Sequence, residues 1–357
     1  SPRRLGVLIP NVSAQAPDRT DAIKLMPVSV GLDANGNATP ALLKRLNALG
    51  ADESAIPQLR KAMDGKAEAL FFDQTIQGAS LATSLQLALE ETLENLPIPK
   101  VMSYQLVDGW TSVNFVRPAH GLVALHGADI VPIHLLGIAA SDLTQGHRFE
   151  AVKHPVMIKE ADSYEKQMLE EGAVIASFEK RRAEIARQLA AAAAKEGLTP
   201  IEDDALLDEV TALVERPNVL VGQFEESFLE VPQECLILTM QANQKYFAIT
   251  DQNGKMKNRF LLVSNLLTPT PELITTGNER VLRARLADAK FFFDQDRKKT
   301  LESRLPGLAN VVYHNKLGTQ KDRNGRLVEL AAALAPVCGA DVEQAKRAAL
   351  LCKADLL

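Results

Sequence analysis

The period at which apolar residues recur changes several times along this chain, and that change restricts the folds open to it more than any other feature. Leu81, Leu85, Leu89, Leu93 and Leu96 follow helical spacing between Gly78 and a stop at Pro97-Ile98-Pro99. Leu206, Val210, Leu213 and Val214 do the same before Pro217, and Leu282, Leu286, Ala289 and Phe293 do so again near the other end. Further helices are expected from Thr39 to Leu49, from Ser54 to Met63, and as one long helix from Ser163 to Lys195 that closes at Gly197. Other stretches alternate or run apolar over a few residues, as strands do: Arg4–Ile9, Pro27–Gly31, Phe71-Phe72, two or three strands within Ser112–Ile138, His154–Ile158, Val219–Gln223, Cys235–Thr239, Tyr246–Thr250 and Arg259–Ser264. Turns are read at Asp33-Ala34-Asn35-Gly36-Asn37 and Asp251-Gln252-Asn253-Gly254. Such a mixture predicts an α+β protein.

A chain of 357 residues exceeds one ordinary core. The pattern divides it into an α+β domain over 1–150, a second over 151–270, a basic helical connector over 271–315 and a helical segment over 316–357. With 46% apolar and 24% charged residues it has the composition of a folded globular protein. A net charge of -5 means that any nucleic-acid contact must come from a local basic face. Cys235, Cys338 and Cys352 are scattered and odd in number, which speaks against a disulfide framework or a zinc site and fits a reducing cytoplasm; Cys235 reads as a small core residue. No run of eighteen apolar residues occurs, so no membrane helix is expected. The Ser1 start and the apolar, uncapped Leu356-Leu357 end read as those of a fragment.

One segment concentrates positive charge. Thr276-Gly277-Asn278-Glu279 has capping-box spacing and is read as opening a helix that carries Arg280, Arg283, Arg285 and Lys290 away from its apolar face. Such residues suit phosphate recognition, and the same pattern suits a solvated helix with internal ion pairs. Arg117 with His120, and His147 with Arg148, form two smaller basic groups; each histidine would equally well satisfy a local backbone acceptor. No GxxxxGK[ST] or GxGxxG occurs, and none of the six histidines is followed by Asp.

The run from Gly277-Asn278-Glu279-Arg280-Val281-Leu282-Arg283-Ala284-Arg285 through Leu286-Ala287-Asp288-Ala289-Lys290-Phe291-Phe292-Phe293 resembles, without a gap, the signature of the glycyl-tRNA synthetase β-subunit family. Similar blocks follow the family's order: Pro2–Leu5, Leu96–Lys100, Phe115–His120, Gly146–Phe149, Pro232–Glu234, Gln244–Phe247, Asn258–Phe260, Lys316–Gly318 and Lys353–Leu356. Two blocks depart from it, with Ser103-Tyr104 after Met102 and Gly121-Leu122 after His120. The resemblance implies a tRNA-binding and assembly subunit of an α2β2 enzyme whose ATP and Mg2+ are used on the α subunit, with no catalytic centre, cofactor or metal in this chain. It also implies that 316–357 begins a degenerate HD-like helical domain, with Lys353-Ala354-Asp355 where a His-Asp pair would stand. The candidate tRNA contacts are Arg117, His120, His147, Arg148, Lys245, Arg280, Arg283, Arg285 and Lys290. A hydrolase, either an editing deacylase using Lys245 or an HD phosphohydrolase, and a scaffold that never touches RNA are the rival readings.

Overall fold

The computed structural model of the chain describes residues 1–357 apart from Ala34 and Lys66, so the turn at 33–37 is described without its second residue. The chain divides into two compact units, 3–176 and 177–357 together with Ser1 and Pro2. Both mix helix and strand, as an α+β sequence should. The four-part sequence division is finer, and its first boundary, at 150, falls inside the first unit.

In the first unit, β1 (Arg19–Pro27), a helical turn α1 (Val28–Gly31), α2 (Pro40–Ala48), β2 (Arg60–Asp64) and β3 (Ala67–Ile76) form an antiparallel sheet of order β1-β3-β2 with one helix packed on it. Thr39 caps α2 by accepting from the Leu42 N–H, and Leu42 and Leu46 meet Leu70 in a small core. The helix α3 (Leu81–Asn95), capped by Ser80, keeps its expected period yet has no buried residue. Next come a ribbon of β4 (Met102–Gln105) and β5 (Ser112–Phe115), and then three ladders of two-residue strands: β6 (Leu125–His126) with β7 (Asp129–Ile130), β8 (His134–Leu135) with β9 (Ile138–Ala139), and β10 (Leu143–Thr144) with β11 (Val156–Met157). The unit closes with α4 (Tyr164–Glu170), whose Met168 joins Val156, Ile158 and Val174 in a second small core.

The second unit has three layers. It begins with α5 (Phe178–Lys195), β12 (Thr199–Pro200), α6 (Asp204–Leu213), β13 (Asn218–Gln223) and α7 (Gln233–Gln244). The strands β14 (Phe247–Thr250) and β15 (Met256–Ser264) complete an antiparallel sheet of order β12-β14-β15-β13, and the long helix α8 (Pro271–Asp296) follows. Because side chains alternate along a strand, Phe247, Ile249 and Leu261 face α5 and α6, while Ala248, Phe260 and Leu262 face α7 and α8. Beyond the sandwich lie α9 (Leu301–Arg304), a small ribbon of β16 (Val312–His314) and β17 (Gly318–Thr319), α10 (Gln320–Leu334) and α11 (Val342–Leu351). A Thr319–Asp322 capping box opens α10, and Asn324 donates from Nδ2 to the Leu350 carbonyl at 2.6 Å. No described helix is long and apolar enough to cross a membrane.

Several expectations are corrected. The run Arg4–Ile9 is not a strand: it has no ladder partner, and Leu5 and Val7 are 78% and 86% exposed. Pro27 ends β1, and residues 28–31 turn helically instead of continuing as strand. Ser54–Met63 is no helix; a 3-10 turn over Glu53–Gln58 contains Pro57, which forbids continuation, and β2 follows. The long helix from Ser163 breaks between α4 and α5, where Ala173 takes φ 53° and Val174 folds into the core beside Met168. Cys235–Thr239 lies within α7, not in a strand, because a short apolar run has no decisive period; Cys235 is exposed, not a core residue. The strands expected within Ser112–Ile138 are mostly two-residue ladders.

Candidate nucleic-acid interface

The basic helix starts earlier than its capping-box spacing predicts. Pro271 occupies the first turn of α8, where its missing N–H is harmless, and Thr276 lies inside the helix. Glu279 is therefore free of capping and accepts from the backbone N–H of Gln223 at 2.9 Å, tying the helix to β13. Leu282 and Leu286 are fully buried, with Ile274 and Phe293 packed beside them. Asn278 accepts from the Tyr246 hydroxyl at 2.6 Å and donates from its own Nδ2 to the Ile274 carbonyl at 2.7 Å. Tyr246 stacks on Phe260 with ring centroids 4.8 Å apart, and burial pushes its hydroxyl up to a pKa of about 12.

The four cations of α8 fall into two groups. Arg283 and Lys290 lie seven residues apart on one side, over the 3-10 turn Glu226–Glu230. Arg283 donates from Nε to Glu225, and Lys290 donates to Glu230 at 2.6 Å with Asp294 at 3.4 Å. The Glu230 hydrogen bond, more than the Asp294 contact, raises the lysine's pKa. Arg280 and Arg285 are exposed and form no ion pair with a described residue. They point in different directions, since five residues turn a helix well past a right angle.

Lys245 sits at the left-handed C-cap of α7 with φ 58°, and its ammonium pairs with Glu209 at 3.0 Å. It borders a small cleft with Val210, Leu213, Tyr246 and Asn278. Among the described residues no three His, Cys, Asp or Glu side chains stand together as metal ligands would. In the other unit, Arg117 and His120 are exposed on a segment held by the Ala119 N–H, which donates to the Tyr104 hydroxyl at 3.2 Å. Arg148 is exposed too, whereas its neighbour His147 is 3% exposed and accepts at Nδ1 from the Phe149 N–H at 3.4 Å.

Sequence reasoning passed over Trp110, the chain's one tryptophan, which is 90% exposed at the tip of the β4–β5 ribbon. Asp108 rigidifies that tip by accepting from the Trp110 and Thr111 N–H groups, both at 2.9 Å, and from the Thr111 hydroxyl. The hydroxyl's hydrogen bond is the main reason the carboxyl's pKa is lowered. The Asp108-Gly109 turn between two alternating segments was the available signal. Also unseen were Glu225 and Glu230, which lie 58 and 60 residues from their partners.

A family model described as glycyl-tRNA synthetase beta subunit matches residues 1–357. The chain is 63% identical over 359 residues to the glycine–tRNA ligase beta subunit of Methylobacillus flagellatus, 65% identical to that of a Janthinobacterium species and 64% identical to that of Thiobacillus denitrificans. Each alignment takes in 100% of this chain and 51% of the relative, so the chain spans about half the length of these curated relatives. With the family model matched from first residue to last, the chain belongs to the glycyl-tRNA synthetase beta subunit family.

Proposed function

We propose that this chain acts within the β subunit of a cytoplasmic glycine–tRNA ligase, where it contacts tRNA for glycine and docks the α subunit. The carrying observation is the match over residues 1–357 at more than 60% identity to proteins of that name. ATP and Mg2+ would act on the α subunit of an α2β2 assembly. The segment 316–357 is proposed as the start of a degenerate HD-like domain in which the buried Ala354 offers no ligand. Arg117, Arg148, Arg280 and Arg285 are the cations best placed to meet phosphate, being exposed and free of an ion pair with any described residue, and His120 is exposed beside Arg117.

The test is reconstitution. This chain with glycine, ATP and tRNA is expected to yield neither glycyl-adenylate nor charged tRNA. The α subunit with the full-length β chain is expected to yield both. Adenylate formed by a preparation free of α subunit would overturn the division of labour.

A further inference from the structure

Several element ends meet at one end of the sandwich. The helix α6 stops at Leu213 and α7 at Gln244, and after the left-handed Lys245 and then Tyr246 the chain enters β14 at Phe247. Beside them runs α8 at Asn278, and the gap between is a cleft of about 180 Å3. Sites that hold a whole small molecule run to about 300–1,000 Å3, so this one suits a single group of something larger. Leu213, Val214 and Leu262 give it an apolar wall, and Gln244, Lys245 and Asn278 give it polar groups.

The chemistry narrows that group. The C-terminal ends of two helices bring unsatisfied carbonyls and partial negative charge to the cleft, which disfavours a phosphate or carboxylate inside it. No acidic residue lines the cleft and the Lys245 ammonium does, so a second cation is disfavoured as well. A neutral group fits. The Tyr246 hydroxyl is already given to Asn278, and Asn278 donates to the Ile274 carbonyl, but the Gln244 carboxamide has no partner among the described residues. A carboxamide offers a donor beside an acceptor, the complement of an edge with an amine next to a ring nitrogen, as on adenine and cytosine. An apolar side chain of a protein partner would instead cover Gln244 and leave it unsatisfied.

The cations lie where the strand leading to such a base would run. Lys245 is held by a surface pair with Glu209 at 3.0 Å, weak enough for a phosphate to share the ammonium. Arg285, exposed and without an ion pair to a described residue, lies seven residues from Asn278 on the same side of α8, about 10.5 Å along the axis. Resting on the tRNA reading above, we propose that the cleft seats one unstacked adenine or cytosine of a tRNA, its face on Leu213 and Leu262, its edge on Gln244, and the neighbouring phosphates on Lys245 and Arg285.

The experiment uses the full-length β chain assembled with the α subunit. It follows dimethyl sulfate reactivity of tRNA adenines and cytosines, which reports those same ring nitrogens, with tRNA affinity, α-subunit affinity and circular dichroism in parallel. Wild type is expected to protect at least one unpaired adenine or cytosine. Leu213→Trp, at a half-exposed helix end, is expected to fill the cleft, abolish that protection and weaken tRNA binding about tenfold with the fold intact. Gln244→Leu should weaken binding about threefold without changing its salt dependence, since no charge is lost, and it carries the test if Leu213→Trp disturbs folding. Unchanged protection and affinity in the folded variants overturn the cleft assignment while leaving the tRNA reading in place. Loss of α-subunit affinity alone overturns it in favour of a protein segment. A thermal shift of the β chain by AMP alone, abolished by Leu213→Trp, overturns it in favour of a free nucleotide. Equal tRNA affinity of the α subunit with and without the β chain overturns both readings.

Discussion

The sheet sandwich at 177–296 and the ribbons at 101–158 hold most of their cations differently. In the sandwich, a four-stranded sheet is covered on both faces, and several of its cations find acids supplied by other elements: Arg182 meets Asp204 and Asp208, Lys245 meets Glu209, and Arg283 and Lys290 meet Glu225 and Glu230, whereas Arg280 and Arg285 meet none among the described residues. In the ribbons, built of strands of two to four residues, Lys153 meets Glu171, but Arg117, Arg148, His120 and Trp110 stand in solvent. Dense tertiary packing brings distant acids to a cation. Short ladders leave it available to a partner.

The largest effect that sharpens this contrast is on stability. Phe260 is fully buried, stacked on Tyr246 and pressed so close to Gly222 that a Cβ there would lie 2.3 Å from the ring. Phe260→Ala is expected to lower the urea unfolding free energy by about 3–5 kcal/mol. Leu46→Ala, in the smaller core beneath α2, should cost nearer 2 kcal/mol, about the lower end for such a change. Equal losses would break the comparison.

Next is tRNA binding in the assembled enzyme across a salt series. Arg117→Ala and Arg285→Ala should each flatten the log-log salt dependence by roughly 0.7–0.9, one phosphate contact apiece. Arg283→Ala and Lys290→Ala should leave the slope alone, since their charges are already spent on Glu225 and Glu230. A slope altered as much by the second pair as by the first would erase the distinction drawn between them.

Two pH effects are smaller. Burial raises the folded Tyr246 pKa from 10.0 to about 12, so its contribution is complete below pH 10 and is lost as pH climbs towards about 12. Tyr246→Phe should remove that alkaline decline in thermal midpoint, at the cost of the Asn278 hydrogen bond, about 0.5–1.5 kcal/mol. On the acid side, chiefly the Arg187 hydrogen bond, with help from Gln188, holds Glu184 at about 2 against an ordinary 4.5. Stability from this group is therefore complete above 4.5 and is lost as pH falls towards about 2. Glu184→Gln should flatten that limb only slightly, because the pair is solvent-screened.

The α+β class, the helix start at Thr39 and the apolar stripe of α8 were legible because each depends on neighbours a few residues away. The family was legible too, through the unbroken run from Gly277 to Phe293, which the full-length match bears out. Local spacing misled where two structures share one pattern. The apolar run after Cys235 suits strand or helix, and the capping-box spacing at Thr276 fits a helix start that Pro271 had already supplied. Which cations stay free was decided by tertiary structure alone. A residue's period states what lies beside it on its own helix, whereas burial and ion pairing depend on what the fold brings from elsewhere, here two glutamates 58 and 60 residues away.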